Sequence, residues 1–526
     1  MTLVDSTPWR PDETVPARER SAAEARAGLA DAVRIAGGLP HLVATATPAQ
    51  AEASDLLDLA ALLEARGLEP WLLRRSSGRP ALALPDAQRP AALAALDEAA
   101  EAAPWAAARR EGGTVRPLAA GAARAFGRAD VATVFRPRMV PSGSLRYGAE
   151  YGVRLEFWRR EGGMLHAPRP NALTRRSLAV DDLALAMVER HGRTWPTIEG
   201  MWTPGANEFT EPVDIVFSWV DGSSSDFQRE RAKRMNAYVV GDGDDHAARY
   251  RQIDELRYAL RSVHMFAPWV RTIWIATDSP APWWLREDPR VRVVRSEEFF
   301  ADTSVLPTHN SHAVEAQLHR IPGLAEHFLY SNDDMFFGRP VRPELFFTAA
   351  GLTQFVESDV RIGVGAPGET RSGHDNAARV NRALLQDRFG RVITRDLQHC
   401  ATPHRRSVMS ELEREFPEDF ARTAAARFRS ATDVSVTNSL YHYYALMTGR
   451  ALPTTAPRTA YIQTTLQSSL HRMERLLARR DADMFCLNDG SVPELPEDVR
   501  ERAVRDLLEA YFPVPAPWER LSPGED

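Results

Sequence analysis

Asn332-Asp333-Asp334 is the stretch of this 526-residue chain whose residue types and spacing best suit chemistry. An apolar run, Phe328-Leu329-Tyr330-Ser331, feeds into it, and a second, Met335-Phe336-Phe337, leaves it. A buried strand that ends in adjacent carboxylates brings acid groups to the rim of a sheet. In open α/β sheets the ligand crevice lies outside the carboxyl ends of the strands. Neighbouring carboxylates repel each other unless a cation lies between them. Hard oxygen donors suit Mg²⁺, which is often shared with substrate phosphates. The pattern therefore points to a metal-assisted site for a phosphate-bearing substrate. The competing reading is an Asx turn between two strands, and on these three residues alone the turn is the better one.

The elements around the acidic pair shift that balance. Asp214-Ile215-Val216-Phe217-Ser218-Trp219-Val220 reads as a strand closed by Asp221-Gly222. A helix follows from Arg249 to Phe266, with Ile253, Leu256, Leu260 and Val263 on one face. Val270 to Ala276 is a second strand, closed by Thr277-Asp278, and Val291 to Val294 a third. Ser311 to Ile321 reads as a short helix, and His327 to Ser331 as the strand that delivers the acidic pair. Strands alternating with helices imply right-handed crossovers and a largely parallel, Rossmann-like α/β sheet. Three of its strands end in acidic residues, which an isolated turn does not explain.

The rest of the chain divides by composition. Residues 1–20 are charged and Pro-containing, and are expected to be loose. Residues 21–128, rich in Ala and Leu, read as a small accessory α/β domain with helices at 51–66 and 91–103 and short strands at 71–73 and 81–84. Residues 129–211 read as a β-rich connecting region and linker, with a helix over 180–191. The catalytic core spans 212–345, a helical second part 346–495, and a terminal helix and tail 496–526. Gly241-Asp242-Gly243-Asp244-Asp245 has the look of a calcium loop but lacks EF-hand spacing and the closing Glu, so a flexible acidic loop is the expectation.

Bulk properties exclude some classes. A net charge of −6 gives no support for nucleic-acid binding. The two cysteines, Cys400 and Cys486, lie 86 positions apart and support neither a disulfide framework nor a zinc motif. The start of the chain lacks the basic-then-apolar order of an export signal, and no run of about 18 apolar residues suggests a spanning helix. A cytoplasmic setting is the expectation.

Four ordered blocks resemble the Stealth family of sugar-phosphate transferases. The first is Asp214 through Gly222. The second runs from Arg249-Tyr250-Arg251 through Glu255-Leu256-Arg257 and Ala267-Pro268-Trp269 to Asp288-Pro289-Arg290. The third holds Leu306-Pro307-Thr308, Asn310-Ser311-His312, Glu315, His319-Arg320-Ile321 and Asn332-Asp333-Asp334. The fourth holds His399, Arg405-Arg406, Phe416-Pro417-Glu418, Phe428-Arg429-Ser430 and Cys486-Leu487-Asn488-Asp489. Position 309 is His where relatives often carry an aromatic residue, and Cys400-Ala401 follows His399 where a Pro is common. His404 therefore stands as an alternative to His399.

The resemblance implies a GT-A-like nucleotide-sugar fold interrupted by a helical subdomain. It implies transfer of a hexose-1-phosphate, such as N-acetylglucosamine-1-phosphate, from a nucleotide-diphosphate sugar to a saccharide hydroxyl, in cell-surface polysaccharide synthesis. It implies Mg²⁺ or Mn²⁺, and peripheral association with membrane polysaccharide machinery. Carried over residue by residue, His399, Arg429 and Asp334 are the expected catalytic groups. Asp333, Asp334, Asn488 and Asp489 are the expected metal ligands. Asp214, Asp221, Gly222, Asn310, Glu315, Arg320 and Arg406 are expected to bind substrate. A His near neutral pKa suits deprotonation of an attacking hydroxyl, and an Arg suits charge that builds on phosphate oxygens. The rival readings are an ordinary glycosyltransferase, which releases the nucleoside diphosphate, and a non-catalytic carbohydrate-binding protein.

Overall fold

The computed structural model describes residues 32–34, 39–110, 112–222, 253–490 and 493–521. The acidic loop at 241–245 and the Arg249-Tyr250-Arg251 start of the expected helix lie outside these residues. Contacts divide the chain into two compact units, one spanning residues 10–205 and the other running from Ala206 onward.

The N-terminal unit is built on one long strand, Val153–Glu161. It pairs parallel with Pro80–Pro85 and antiparallel with Val131–Phe135 and Met164–His166. Residues 131–135 and 153–161 are thus central strands of this unit's sheet, and the residues on both sides of 128 lie in one compact unit. Helices Pro48–Glu64 and Arg89–Ala102 bury Leu56, Leu59, Leu63 and Leu96 with Leu82, Leu155 and Phe157 in one core. Thr47 and Gln50 form a reciprocal capping box at the first helix. Asp55, fully buried, accepts from Arg136 Nε at 2.8 Å and Arg138 Nη2 at 2.9 Å. Burial alone would raise its pKa, but the two guanidiniums outweigh burial and hold the carboxyl below the usual range.

The helix expected over 180–191 is instead a β-hairpin, Leu185–Arg190 with Arg193–Ile198. The two turn residues explain it. His191 and Gly192 both have positive φ, 51° and 70°, which is the geometry of a two-residue type I′ turn.

The C-terminal unit carries the Rossmann-like sheet. Its strands are β1 (Val213–Ser218), β2 (Ile273–Ala276), β3 (Val291–Val294) and β4 (His327–Asn332). They run parallel in the order β3-β2-β1-β4, and β6 (Thr402–Arg405) adds antiparallel at the β4 edge. The chain winds outward from β1 and returns to its other side, so the topological switch point lies between the carboxyl ends of β1 and β4. The acidic link 333–334 leads from β4 into β5 (Met335–Phe337), which belongs to a second sheet with β7 (Thr459–Gln463) and β8 (Met484–Asn488) in the order β5-β8-β7.

Helices fill in around these sheets. They are α1 (Glu255–Phe266), α2 (Ser311–Glu315), α3 (Gly373–Phe389), α4 (Arg406–Glu415), α5 (Pro417–Ala425), α6 (Tyr441–Met447), α7 (Ser469–Arg479) and α8 (Glu497–Tyr511). Phe328 and Tyr330 of β4 share one core with Met409 and Leu412 of α4 and Tyr441, Tyr443 and Tyr444 of α6. A π turn, Val436–Leu440, precedes α6, so Asn438 sits inside that turn and does not cap the helix. The C-terminal segment is woven into this unit rather than trailing from it. Tyr511 Oη donates to Gly338 O, Phe512 stacks on Phe336, and Arg261 donates to Glu519.

His404 and His442 are buried in this core, with ring centroids 4.9 Å apart. Burial lowers the pKa of both, that of His442 to about 4. In the unfolded chain both titrate near the ordinary imidazole value of about 6.5. Between these values the unfolded state binds more protons, so stability is complete above about pH 6.5 and falls as pH drops toward 4. Each His contributes a slope of at most about 1.4 kcal/mol per pH unit. Urea unfolding across this range should give a shallower slope for His442→Gln than for the wild type; equal slopes would refute the linkage.

Candidate active site at the switch point

The two strands that flank the switch point both end in the residues singled out by sequence. Past β1, Trp219 N donates to Ala276 O and Asp221 N donates to Ser279 Oγ at 2.9 Å. This places Asp221 and Gly222 at the carboxyl rim. Past β4, Asp333 and Asp334 form the tight link to β5. Their position is fixed from the other sheet, because Leu487 N donates to Asp334 O at 3.0 Å and Cys486 lies opposite Met335.

Two side chains converge on this link. Cys486 Sγ donates to Asp334 Oδ2 at 3.4 Å, and His399 Nδ1 lies 3.0 Å from the same sulfur. Ligand atoms of Asp334, His399 and Cys486 all fall within 4.8 Å of one another. A thiol has one proton. With it on the Asp334 side, His399 Nδ1–H donates to sulfur and its lone pair resides on Nε2. Burial first, then the Asp334 charge, push the Cys486 thiol well up, in keeping with its role as donor to Asp334. His404, the alternative imidazole, pairs in register with Phe328 and packs against Tyr441. It is a core residue.

Electrostatics single out the acidic pair. Burial, then the neighbouring Asp334, then Glu255 at the start of α1, hold the Asp333 carboxyl well above the usual range, although part of the residue touches solvent. Asp334 Oδ1 is buried with no hydrogen-bond partner among the described residues. Crowded carboxylates with an orphaned oxygen fit a hard divalent cation. The oxygens of Asp333 and Asp334 are the donors suited to Mg²⁺ or Mn²⁺.

Arg429 lies against α2, α3 and β4. Its Nη2 donates to Ser311 Oγ at 2.9 Å, its charge acts on the Tyr330 phenol of β4, and its aliphatic stem lies over Gly373. A Cβ on Gly373 would come within 2.8 Å of Arg429 Cβ and Cδ.

Several expected substrate contacts are corrected by their positions. Asp214 is fully buried at the amino end of β1, away from the crevice, and accepts from Arg271 Nε at 2.8 Å, Trp274 Nε1 at 3.0 Å and Ala325 N at 2.9 Å. It is a strand anchor. Asn310 is 1 % exposed and fully engaged. Its Oδ1 accepts from His312 N, and its Nδ2 donates to Asp433 Oδ2 at 2.7 Å and to the carbonyls of Ala426 and Phe428. It straps down the loop that carries Arg429. Glu315 is buried, accepting from Tyr330 Oη at 3.2 Å and Thr437 Oγ1 at 2.7 Å. His319, one helical turn on, faces Glu413, as does Arg320. Arg406 follows Arg405, which pairs with His327 at the amino end of β4. Six residues of strand, roughly 17 Å, separate it from the acidic link.

Asn488 and Asp489 end β8 beside the link. Continuing the register one residue past the Leu487–Asp334 bond brings Asn488 level with Asp333. Asp489 accepts from Thr464 Oγ1 and faces Arg500; these contacts direct it to β7 and α8. Asp278 accepts from Ser296 N and so caps a short helix. Trp284 is core, and Trp283 is half-exposed beneath Arg257. Sequence reasoning gave no site role to Glu255 or Cys486, although both fall in the blocks that carry the family resemblance; only the β5–β8 pairing carries Cys486 to Asp334.

The four conserved regions of the Stealth proteins match this chain in order: region 1 at residues 211–239, region 2 at 249–355, region 3 at 398–446 and region 4 at 474–525. Exopolysaccharide phosphotransferase CpsY of Mycobacterium tuberculosis is 49% identical over 488 residues, covering 92% of both chains. The chain belongs to the Stealth family. An exopolysaccharide phosphotransferase of Nocardia farcinica is 57% identical over 77% of this chain and 79% of its own, and one of Streptomyces coelicolor 45% identical over 73% of each. The solved galactosyltransferase LgtC, crystallised with donor and acceptor sugar analogs, aligns with 56% of this chain and 95% of its own at 12% identity and a TM-score of 0.30, too loose a likeness to carry an argument. Within the Stealth frame, Asp334 lies in region 2, His399 and Arg429 in region 3, and Cys486 in region 4. Among the described residues, no helix is long and apolar enough to cross a membrane.

Proposed function

We propose that this protein transfers a sugar-1-phosphate from a nucleotide-diphosphate sugar to a hydroxyl of a saccharide acceptor, building a phosphodiester in exopolysaccharide synthesis. The observation that carries the reading is the juxtaposition of His399 with Asp334 at the carboxyl end of β4. Membership of a family whose relatives bear the name exopolysaccharide phosphotransferase supports it.

In this reading the acceptor oxygen forms a bond to the β-phosphorus and the bond from that phosphorus to the α,β-bridging oxygen breaks. The hydroxyl proton passes to His399 Nε2, and the electron pair leaves with the nucleoside monophosphate. Phosphoryl-type transfer depends chiefly on positioning and charge stabilisation. Arg429 answers charge on the phosphate oxygens, and Asp221 with Gly222 borders the nucleotide at the β1 rim. Asp333 and Asp334 would hold Mg²⁺ or Mn²⁺, with Asn488 beside them, and that cation would neutralise diphosphate charge. A cytoplasmic location beside membrane polysaccharide machinery belongs to the same proposal, since it puts enzyme and donor together.

The deciding experiment incubates the protein with a panel of nucleotide sugars, a saccharide acceptor and Mg²⁺, and identifies the nucleotide released. UMP or its equivalent is expected. Release of UDP would assign ordinary glycosyl transfer, and absence of turnover across the panel would remove the enzymatic reading.

A further inference from the structure

One surface feature next to the site has no role in the chemistry above. Helix α7 buries Ser469, Met473 and Leu476 and turns Arg472, Arg475 and Arg479 to solvent. Spacings of three and four residues put these arginines on one face of a helix. Their stripe spans about 10 Å at the helical rise. Among the described residues none of the three makes an ion pair with a carboxylate, in a chain whose net charge is −6. The one acid in their midst, Glu474, faces His471 at 3.6 Å.

The stripe is tied to the catalytic centre at one end. Arg472 Nη2 donates to the main-chain oxygen of Tyr461 on β7. Tyr461 is 41 % exposed as a residue, and its ring stands edge-on to His399, centroids 6.2 Å apart. Tyr461 therefore borders His399 on one side and is joined through its main chain to the first of three arginines on one helix face. An amphipathic aromatic ring suits the apolar face of a sugar. Guanidinium forks suit phosphate oxygens, which they grip bidentately.

We propose that Tyr461 and the Arg472–Arg475–Arg479 stripe form a track for an acceptor saccharide that already carries phosphodiesters, so that the enzyme prefers its own product as the next acceptor. The inference rests on the transfer reading above and names its acceptor class. Each phosphodiester adds one negative charge, and a chain extended at His399 meets the arginines one after another. Attraction of this kind weakens with salt.

The test measures binding by the full chain without donor, so that it is independent of turnover. The probes are a fluorescein-labelled tetrasaccharide joined by phosphodiesters, a neutral tetrasaccharide of equal length, and inorganic polyphosphate. Wild type is expected to bind the phosphodiester probe at least about tenfold more tightly than the neutral one, with the preference shrinking as salt rises. Arg475→Glu/Arg479→Glu should abolish that preference, and Arg475→Lys/Arg479→Lys should retain part of it. Two outcomes would overturn the track: equal binding of the charged and neutral saccharides by wild type, or polyphosphate binding as tightly as the phosphodiester saccharide. A failed transfer reading would show separately, as UDP in the nucleotide assay.

Discussion

His399→Gln should lower kcat by about 10²- to 10⁴-fold, the usual worth of a positioned general base, with little change in KM for the donor. The substitution is chosen for what it keeps. Gln can still donate toward Cys486 Sγ, which lies 3.0 Å from His399 Nδ1, so the sulfur and Asp334 stay in place. What it removes is the imidazole lone pair to which the transfer reading assigns the acceptor's proton. His399 is half-buried at the end of a loop, so the fold does not depend on it as it does on His404. Steady-state turnover and thermal unfolding, measured on the same preparation, separate the two roles. A turnover number within threefold of wild type would dismiss His399 as the base.

Much of the C-terminal unit is legible because parallel strands are covered on both faces and so read as unbroken apolar runs. Strands β2 and β4 show as such runs, and the acids that follow β1 and β4 mark the crevice. The misreadings have particular causes. Asp214 and Asp221 stand near opposite ends of one strand, and only Asp221 follows its carboxyl end; strand direction alone excludes Asp214, and the family likeness obscured that. Asn310 has the residue type of a substrate contact, yet its amide is consumed by a loop more than 110 residues later. Arg406 shares a sequence block with His399, while the antiparallel β4–β6 pairing carries it to the opposite rim. Cys486 enters the site through the β5–β8 register, a pairing between segments 149 residues apart that no local pattern announces. In the N-terminal unit, Leu185–Arg190 fits either period over so short a run, and the His191-Gly192 turn decides for strand.

Arg429→Lys is expected to lose about 10²- to 10³-fold in kcat, the scale seen when one preorganised transition-state donor is removed. Lys keeps the charge but not the planar fork, so a large loss would show that geometry rather than charge is what counts. The surroundings of Arg429 are built to fix that geometry. Asn310 Nδ2 holds the carbonyls of Ala426 and Phe428, Asp433 Oδ2 accepts from Ser430 N at 2.9 Å, and His309 stacks on Phe428. Gly373 leaves the only space that the stem of Arg429 needs, since a methyl there would meet its Cβ and Cδ at 2.8 Å. Gly373→Ala should therefore reproduce part of the Arg429→Lys defect without touching any charge, and combining the two should cost less than the sum of the separate losses, as expected for residues that act as a unit. Additive losses would mean that Gly373 acts through the fold of α3, and a wild-type kcat in Arg429→Lys would mean that the guanidinium never meets the phosphate.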